Sequence, residues 1–239
     1  MFLKGDFHIH STASDGRLTP FEVVQFAKKQ GVDIIALTDH NTMSGVKEAL
    51  LAGEKYGVAV IPGVELSTRY KGNRVHILGY FNGNRYKDDF FQKILRLIKT
   101  RKTKQVQRLL RDSIEITLDS GKLSVESGIT LLKHFGATVV LAHPVTINRR
   151  YVMDVISMPF HGIEAKYFRN TRDDTRNFLK ICKEKGCFYT AGSDFHTNKQ
   201  MDLKHGLIGD AFLDSEEIDI FLKESSLNIL LKLTASQVV

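Results

Sequence analysis

The sequence predicts an α/β fold built on a largely parallel sheet. Runs rich in β-branched and aromatic residues alternate with amphipathic stretches along most of the 239 residues, and a repeated strand-helix order is typical of parallel α/β architectures. Polar residues of metal-binding type also follow several of these runs. In parallel α/β barrels the carboxyl ends of the strands form one common face, so residues placed there meet in one pocket.

Each predicted element rests on its own local pattern. Seven strands are expected where apolar runs are bounded by glycine or polar turns. They cover Met1–His10, Val32–Thr38, Val58–Val64, Val75–Phe81, Thr138–Ala142, Gly162–Ala165 and Phe188–Ala191. Six helices are expected where apolar residues recur at three- and four-residue spacing. They cover Thr19–Gln30, Ser44–Tyr56, Asp88–Arg111, Ser124–Phe135, Thr171–Lys185 and Ser215–Glu224.

Composition describes an ordinary globular protein, with 42% hydrophobic and 26% charged residues, and it excludes disordered and collagen-like classes. No repeat or low-complexity linker appears, which predicts one domain over residues 1–239 without a large insertion. No window approaches the roughly 20 apolar residues of a membrane span, and the first residues lack a signal-peptide pattern. A cytoplasmic protein with no membrane partner and no obligate protein partner is expected. Cys182 and Cys187 are predicted to be buried thiols, not part of a disulfide framework.

The first strand carries a histidine pair. His8 and His10 alternate with Phe7 and Ile9. Because side chains alternate between the faces of a strand, both imidazoles are expected on one face and both apolar side chains on the other. Two nitrogens could then reach one metal ion, although histidines on half-buried strands are common without one.

Further histidines and acids stand where other strands end. Asp15, in Ser-Asp-Gly, is by itself typical of a turn, and His76 lies within the fourth strand. The residues that follow strands are Asp39, His40, Glu65, His143, Asp194 and His196. Imidazoles together with carboxylates suit Zn, Mn or Fe, whereas an all-oxygen set would suit Mg or Ca. The pattern therefore predicts a metal site at the carboxyl ends of the strands.

These residues lie in motifs that resemble, in order, those of the PHP (polymerase and histidinol phosphatase) family. More narrowly, they resemble its stand-alone bacterial metal-dependent phosphoesterases. The motifs are Asp6-Phe-His8-Ile-His10-Ser, Asp15-Gly, Thr38-Asp39-His40-Asn41-Thr, Pro62-Gly-Val-Glu65, His76-Ile-Leu-Gly-Tyr, Ala142-His143-Pro144 and Gly192-Ser-Asp194-Phe-His196.

The resemblance implies a distorted seven-stranded (β/α)7 TIM-like barrel that holds two to three divalent ions. The implied ligands are His8, His10, Glu65 and Asp194 for a first ion, Glu65, His76 and His143 for a second, and Asp15, His40 and His196 for a third. Asp6 and Asp39 are expected to orient neighbouring imidazoles by hydrogen bonding.

The implied reaction is hydrolysis of a phosphate ester by a hydroxide that bridges the metal ions. Nearby cations would help to neutralise the phosphoryl oxygens. Candidates for that role, each also typical of a solvated surface charge, are Arg149, Arg150, Lys166 and Arg169.

Positive charge is concentrated in one segment. Residues 85–111 contain ten basic and two acidic residues, a local charge of +8 that exceeds the +7 of the whole chain. The apolar residues of this segment fall at helical spacing, so its charges would line the exposed face of one basic helix. One interpretation is a surface for nucleotides or short RNA; the other is a solvated helix face. The cations of that surface would be Arg101, Lys102, Lys104 and Arg108.

A phosphoesterase acting on a nucleotide or short oligonucleotide is the leading hypothesis. A small-molecule phosphatase of the histidinol-phosphate type is an alternative with the same chemistry. A metal-dependent amide or lactone hydrolase and a non-catalytic PHP binding module are alternatives of other classes. The remaining histidines, His134, His161 and His205, are expected to be surface residues or satisfied core residues.

Overall fold

A computed structural model describes residues 1–198 and 204–227. The strands are β1 (Lys4–Ile9), β2 (Ile34–Leu37), β3 (Ala59–Tyr70), β4 (Asn73–Phe81), β5 (Leu118–Asp119), β6 (Lys122–Leu123), β7 (Ala137–Leu141), β8 (Gly162–Tyr167), β9 (Phe188–Gly192) and β10 (Leu213–Asp214). The helices are α1 (Pro20–Lys29), α2 (Val46–Tyr56), α3 (Asp89–Lys99), α4 (Thr103–Leu110), α5 (Val125–His134), α6 (Val152–Ile156), α7 (Arg172–Lys185) and α8 (Ser215–Glu224).

Eight strands form one sheet in the order β10-β1-β2-β3-β4-β7-β8-β9. A parallel bridge between Ile9 and Phe195 brings the segment after β9 alongside β1, so the sheet is nearly closed into a barrel. The predicted α/β barrel is therefore confirmed. The sheet has eight strands and not the expected seven, because the two-residue β10 pairs antiparallel with the start of β1.

One strand of the barrel runs in reverse. β4 is antiparallel to both of its neighbours, β3 and β7, and it follows β3 through a tight turn in which Lys71 and Gly72 both have positive φ. The first residues of β4 therefore lie at the edge where the parallel strands end. His76, near the start of β4, joins that edge although it does not follow a strand.

β1 contains a register shift between Asp6 and Ile9. Phe7 packs with the apolar cluster inside the barrel, 4.6 Å from the Phe221 ring of α8, whereas Ile9 packs with the outer cluster beneath α1 and α2. The expectation that Phe7 and Ile9 share a face is therefore wrong. An irregularity of this kind re-aims side chains, and such irregularities are common beside functional sites.

Helices cover the outside of the barrel, and their starts follow recognisable signals. α1 and α7 both begin with a capping box, formed by Thr19 with Glu22 and by Thr171 with Asp174. These side chains satisfy backbone N–H groups that have no partner within the helix. Both helices thus begin one residue after their predicted starts, Thr19 and Thr171.

The predicted single helix over residues 88–111 is wrong. The chain breaks between α3 and α4, and Arg101 at the break adopts a left-handed conformation with φ of 59°. Thr103 is buried and donates a hydrogen bond to the Gly121 carbonyl at 3.0 Å, which ties the start of α4 to the β5–β6 hairpin. The apolar residues of α3 and α4 are otherwise at least partly buried on both sides of the break; the exceptions are Phe90 and Leu109, which are 42% and 41% exposed.

Two further expectations concern cysteines and membrane spans. Cys182 is buried and Cys187 is half-buried, and neither forms a disulfide. Among the helices of residues 1–198 and 204–227, none combines the length and apolar character needed to cross a bilayer.

Candidate metal centre

The nine predicted ligands all meet at the edge of the barrel where the parallel strands end. His8 and His10 are fully buried and contact the carboxylates at the base of a cavity of about 400 Å³. The other seven line that cavity: Asp15, His40, Glu65, His76, His143, Asp194 and His196.

Unusual backbone conformations position two of these residues. His143 directly follows Ala142 beyond β7 with φ of 27°, and Asp194 lies two residues beyond β9 with φ of 54°. Left-handed conformations are costly for residues other than glycine and persist only where the surrounding structure imposes them. Their occurrence at two strand ends is a further indication that this edge is a functional site.

Glu65 is the centre of the cluster. Its carboxylate is buried and lies within 3.3 Å of five histidine rings. The shortest approaches are 2.8 Å from Oε2 to His40 Nδ1 and 2.8 Å from Oε1 to His76 Nδ1. His143 Nε2 lies 3.0 Å from Oε1. Each oxygen thus faces a different group of imidazoles, His8, His76 and His143 at Oε1 and His10 and His40 at Oε2.

The deepest group contains His8, His10, Glu65 and Asp194. Asp194 Oδ1 lies 3.4 Å from His8 Nε2 and 3.2 Å from His10 Nε2, and Glu65 lies 3.3 Å from each of these nitrogens. Two atoms that each lie about 2.1 Å from a tetrahedral ion are about 3.4 Å apart. The spacing of this group therefore fits one divalent ion.

A second group lies nearer the cavity mouth and contains His10, Asp15, His40 and His196. Asp15 Oδ1 lies 3.3 Å from His196 Nε2, and Asp15 Oδ2 lies 3.7 Å from His40 Nε2. His40, Glu65 and His76 form a further group. The donor atoms of each group lie within 4.8 Å of one another.

Several buried atoms of the centre make no hydrogen bond of suitable geometry to the described residues, although His40 Nδ1 and Glu65 Oε2 lie only 2.8 Å apart. These atoms are His8 Nε2, His10 Nε2, His40 Nδ1 and Glu65 Oε2. Buried polar atoms are rarely left unpaired, because each unpaired group costs about 1–3 kcal/mol. All four point into the cluster of imidazoles and carboxylates. This donor set and its unpaired atoms together fit divalent metal ions of the Zn, Mn or Fe type.

The electrostatics of the centre favour ionised carboxylates. Burial disfavours charge on Glu65, but the imidazoles of His76, His40 and His8 outweigh it and hold the pKa of Glu65 well below its usual value. Burial likewise opposes charge on Asp194, and His8 and His10 outweigh it, so the pKa of Asp194 is lowered. The carboxylates are therefore ready to accept cations at neutral pH.

The pKa values of two histidines in this cluster shift in opposite directions. Burial disfavours a proton on His40, but Glu65 outweighs it and raises the pKa of His40 to about 9. Burial prevails at His76, with help from the nearby His143 and His40, and lowers its pKa to about 4. Metal binding must displace protons from the raised histidines, since only neutral imidazole binds a metal ion.

Three supporting residues were missed by sequence reasoning. Glu164 is buried on β8, accepts a 3.0 Å hydrogen bond from His8 Nδ1 and a 2.7 Å bond from the His143 backbone N–H. Tyr167 donates to Asp194 Oδ2 at 3.1 Å, and Thr146 lies 2.9 Å from His143 Nδ1. A buried acid in a strand whose neighbours are apolar was the signal for Glu164.

The roles expected for Asp6 and Asp39 are corrected. Asp6 accepts from the backbone N–H groups of His8, Ser193 and Gly209, so its hydrogen bonds to these described residues go to the backbone and not to an imidazole. Asp39 accepts from Ser11 and Ser14. Both carboxylates hold the backbone of the site. Asp39 reaches an imidazole only indirectly, because Ser14 Oγ, which donates to Asp39, lies 3.4 Å from His10 Nδ1.

The four candidate phosphate-binding cations occupy different places. Arg169 lines the metal cavity. Lys166 instead binds Glu217, with 2.6 Å between its Nζ and Oε2, so a role for Lys166 at the phosphate is not supported. Arg149 and Arg150 are exposed and do not line the cavity. Two further cations, Arg74 and Lys204, line the cavity and were not predicted from the sequence.

Of the three histidines set aside, one belongs to the site. His205 stacks on His196 with 3.9 Å between ring centroids and groups with Asp194 and His196, which corrects the expectation of an ordinary histidine. Its loop carries no strand-end signal. The other two fit that expectation: His134 is exposed, and His161 accepts a hydrogen bond from the backbone N–H of Val139.

The predicted nucleic-acid surface is divided by the break between α3 and α4. Arg101 lines a small cleft beside the β3–β4 hairpin. Lys102, Lys104 and Arg108 are exposed and line neither this cleft nor the metal cavity.

Comparison with known proteins places the chain among proteins of this architecture. A 5'-3' exoribonuclease of Haemophilus influenzae is 27% identical over 82% of this chain and 91% of its own length. A 3',5'-nucleoside bisphosphate phosphatase of Chromobacterium violaceum is 26% identical over 80% of this chain and 86% of its own length.

Structural comparison gives the same architecture. A candidate metal-dependent phosphoesterase from Bifidobacterium adolescentis superposes with a TM-score of 0.70 at 21% identity, covering 92% of this chain and 96% of the other. The sequence profile of the PHP domain matches residues 6–189, a range that includes seven of the nine predicted ligands. The chain therefore belongs to the PHP domain family, as its motifs predicted.

Proposed function

We propose that this protein is a metal-dependent phosphoesterase that hydrolyses a phosphate ester of a nucleotide or short oligonucleotide. The observation that carries the proposal is the deepest ligand group, in which His8, His10, Glu65 and Asp194 present unpaired or ionised atoms at the spacing that a divalent ion requires. Membership in the PHP domain family supports the same reaction class.

The centre would hold two to three divalent ions of the Zn, Mn or Fe type. His8, His10, Glu65 and Asp194 would bind the first, His76 and His143 would share Glu65 at the second, and the remaining ligands would bind the third: Asp15, His40 and His196. When bound, such ions lower the pKa of water and neutralise phosphoryl oxygens.

The chain's own residues supply binding and orientation. Arg74, Arg169 and Lys204 line the cavity and would attract a phosphate dianion to its mouth. Tyr167 fixes Asp194 by a hydrogen bond, and Glu164 fixes His8. These contacts hold the ligands in position without taking part in the reaction.

Water is the expected nucleophile. Among the described residues that line the cavity there is no serine or cysteine, and the Thr146 hydroxyl is already bound to His143. A covalent intermediate on a side chain is therefore not expected.

The substrate class is the finer part of the proposal. Two relatives that align along most of their length are named for RNA and for a nucleoside bisphosphate, and both substrates carry more than one phosphate. The cavity of this chain has cations at its mouth, and Arg101 of the segment 85–111 lines the small cleft beside the β3–β4 hairpin. A polyanionic substrate would use these charges. Lys102, Lys104 and Arg108 line neither the cavity nor the cleft, so their place in the expected nucleic-acid surface stays a prediction.

One assay panel tests the proposal. Phosphate release with added Mn²⁺ is compared for a nucleoside 3',5'-bisphosphate, a short 5'-phosphorylated RNA, histidinol phosphate and a chromogenic phosphodiester. We expect His8→Ala and Asp194→Ala to lose at least about 10³-fold in kcat/KM, since each removes a ligand of the first ion. The control, Asp173→Ala, changes an exposed carboxylate on α7 and should retain activity.

Three results would contradict the proposal. Activity that survives both ligand substitutions would show that the reaction occurs elsewhere. Preference for histidinol phosphate over both nucleotide substrates would overturn the substrate class. Fewer than one divalent ion per chain after purification and loading with Mn²⁺ or Zn²⁺ would overturn the metal centre.

A further inference from the structure

The β3–β4 hairpin carries positive charge outward from the metal centre. Alternate residues of a strand share a face, so Glu65, Ser67 and Arg69 follow one another along the same side of β3. Across the hairpin Ser67 pairs with His76, and Arg69 pairs with Arg74. At about 3.3 Å per residue, the two arginines lie about 7 Å beyond His76 along the strands.

A cleft of about 180 Å³ opens between this hairpin and the corner where α3 meets α4. Lys99, Arg101 and Lys122 line it, together with Asn41. Asn41 directly follows His40 of the metal cavity. The cleft is therefore next to the metal cavity.

Five side chains are termed the cationic cleft: Arg69, Arg74, Lys99, Arg101 and Lys122. Lys99, Arg101 and Lys122 line the cleft itself, whereas Arg74 lines the metal cavity and pairs with Arg69 across the hairpin. The two arginines thus lie on the hairpin between the cleft and the metal cavity. Lys122 lies beside the hairpin, because Ser124, two residues after it, forms a parallel bridge with Arg69. Burial and the charges of Arg69, Arg101 and Arg74 lower the pKa of Lys122.

No carboxylate of residues 1–198 or 204–227 forms an ion pair with the cationic cleft. The two acids near the hairpin turn are engaged elsewhere, since Asp119 accepts from the Gly72 backbone N–H at 3.0 Å and Asp154 pairs with Lys71 at 3.2 Å. Like charges held together without a counter-charge are unfavourable. A bound anion would relieve that repulsion, and guanidinium groups match the geometry of phosphate.

We propose that the cationic cleft binds the phosphate adjacent to the scissile one, one ribose away along a nucleotide or RNA chain. This inference rests on the proposed function and deepens it, because it assigns a second phosphate site to particular side chains. Lys104 and Arg108 of α4 line neither cavity, so the cleft and not the helix surface should discriminate between substrates with one and two phosphates.

The test compares two double variants of the full chain. Arg101→Gln with Lys122→Gln removes two charges of the cleft, and Lys104→Gln with Arg108→Gln removes two charges of α4. For adenosine 3',5'-bisphosphate we expect KM to rise at least about tenfold in the cleft variant, with kcat within twofold, since each lost charged hydrogen bond to phosphate costs roughly tenfold. KM for adenosine 3'-monophosphate and 5'-monophosphate should stay within twofold, and the α4 variant should resemble the wild type.

Binding without turnover gives a second readout. The dissociation constant of adenosine 3',5'-bisphosphate, measured by calorimetry on the EDTA-treated protein, should rise by the same factor in the cleft variant. For a 5'-phosphorylated RNA pentamer, the slope of log K against log salt should flatten by about 1.4, because each lost phosphate contact contributes about 0.7 on single strands. Arg101→Gln alone, at an exposed position, replaces the double variant if thermal melting shows that the latter does not fold.

The outcomes separate the two proposals. A wild type that hydrolyses none of the substrates refutes the proposed function, while the calorimetry still tests the cleft. Two results overturn the proposal for the cleft. One is an equal loss of affinity in the cleft and α4 variants, and the other is an unchanged affinity of the cleft variant for both the bisphosphate and the RNA. A loss of affinity confined to the bisphosphate or to the RNA supports the proposal and identifies which of the two ligands the cleft binds.

Discussion

Replacement of Glu164 by glutamine tests whether this buried carboxylate sets the protonation of a metal ligand. Its Oε1 lies 3.0 Å from His8 Nδ1, and its Oε2 accepts from the His143 backbone N–H at 2.7 Å. An ionised carboxylate only accepts hydrogen bonds, so His8 must carry its proton on Nδ1. That tautomer leaves Nε2 free for a metal ion.

Glutamine has the same shape but one acceptor and one donor. If its oxygen keeps the bond from the His143 N–H, its amino group faces His8 Nδ1 and favours the tautomer with the proton on Nε2. If it is turned the other way, its amino group opposes the His143 N–H. Either arrangement loses one charge-assisted hydrogen bond, about 1.5–3 kcal/mol, so we expect Glu164→Gln to weaken metal binding about 10- to 100-fold.

The assay is Zn²⁺ affinity by competition with a chromogenic chelator, together with metal content after dialysis. Glu184→Gln is the matched control, because Glu184 is exposed on α7 and its 3.7 Å pair with Lys180 is of the surface kind that contributes little. Thermal melting in EDTA checks that both variants fold. A Glu164→Gln protein with a Zn²⁺ dissociation constant within twofold of the wild type would refute the reasoning.

Two further predictions concern packing and protonation. Gly192→Ala should lower metal content and melting temperature together, because a Cβ at this position would overlap His8 Cβ and Glu164 Oε1; normal values of both would show that the backbone moves aside. Burial and the nearby lysine lower the pKa of His161, which stays neutral to accept the hydrogen bond from Val139. The stability that neutral His161 contributes is present above its unfolded pKa of about 6.5 and is lost as pH falls below that value. The melting temperature of the wild type should therefore fall more than that of His161→Gln between pH 7.5 and 5.5. Equal decreases in melting temperature would contradict the assignment.

The meeting of the nine predicted ligands in one cluster was predictable because their signal in the sequence is local. His8 and His10 show strand alternation, and Asp39, Glu65 and Asp194 each follow an apolar run by a few residues. The strand-end rule then brings residues far apart in sequence to one face. His76 lies at the same edge because β4 runs antiparallel to its neighbours, which the sequence did not reveal.

The supporting contacts were less predictable because they depend on tertiary packing. The predicted hydrogen bonds of Asp6 and Asp39 to imidazoles failed, since nothing in a sequence tells whether a buried carboxylate meets a ring or a backbone N–H. The role of Glu164 and the position of His205 depend on the same kind of contact. The break at Arg101 was also hidden, because apolar spacing continued across it.

The antiparallel direction of β4 departs from a regular parallel barrel, and it provides the structural basis of the proposed second phosphate site. A parallel strand after β3 would need a crossover helix of about a dozen residues, whereas the antiparallel β4 returns through a two-residue turn. The hairpin can therefore continue past the rim of the barrel, and its pairs follow one face from Glu65 through His76 to Arg69 and Arg74. One structural irregularity thus brings a predicted metal ligand to the site and also supplies the cations of the proposed second phosphate site.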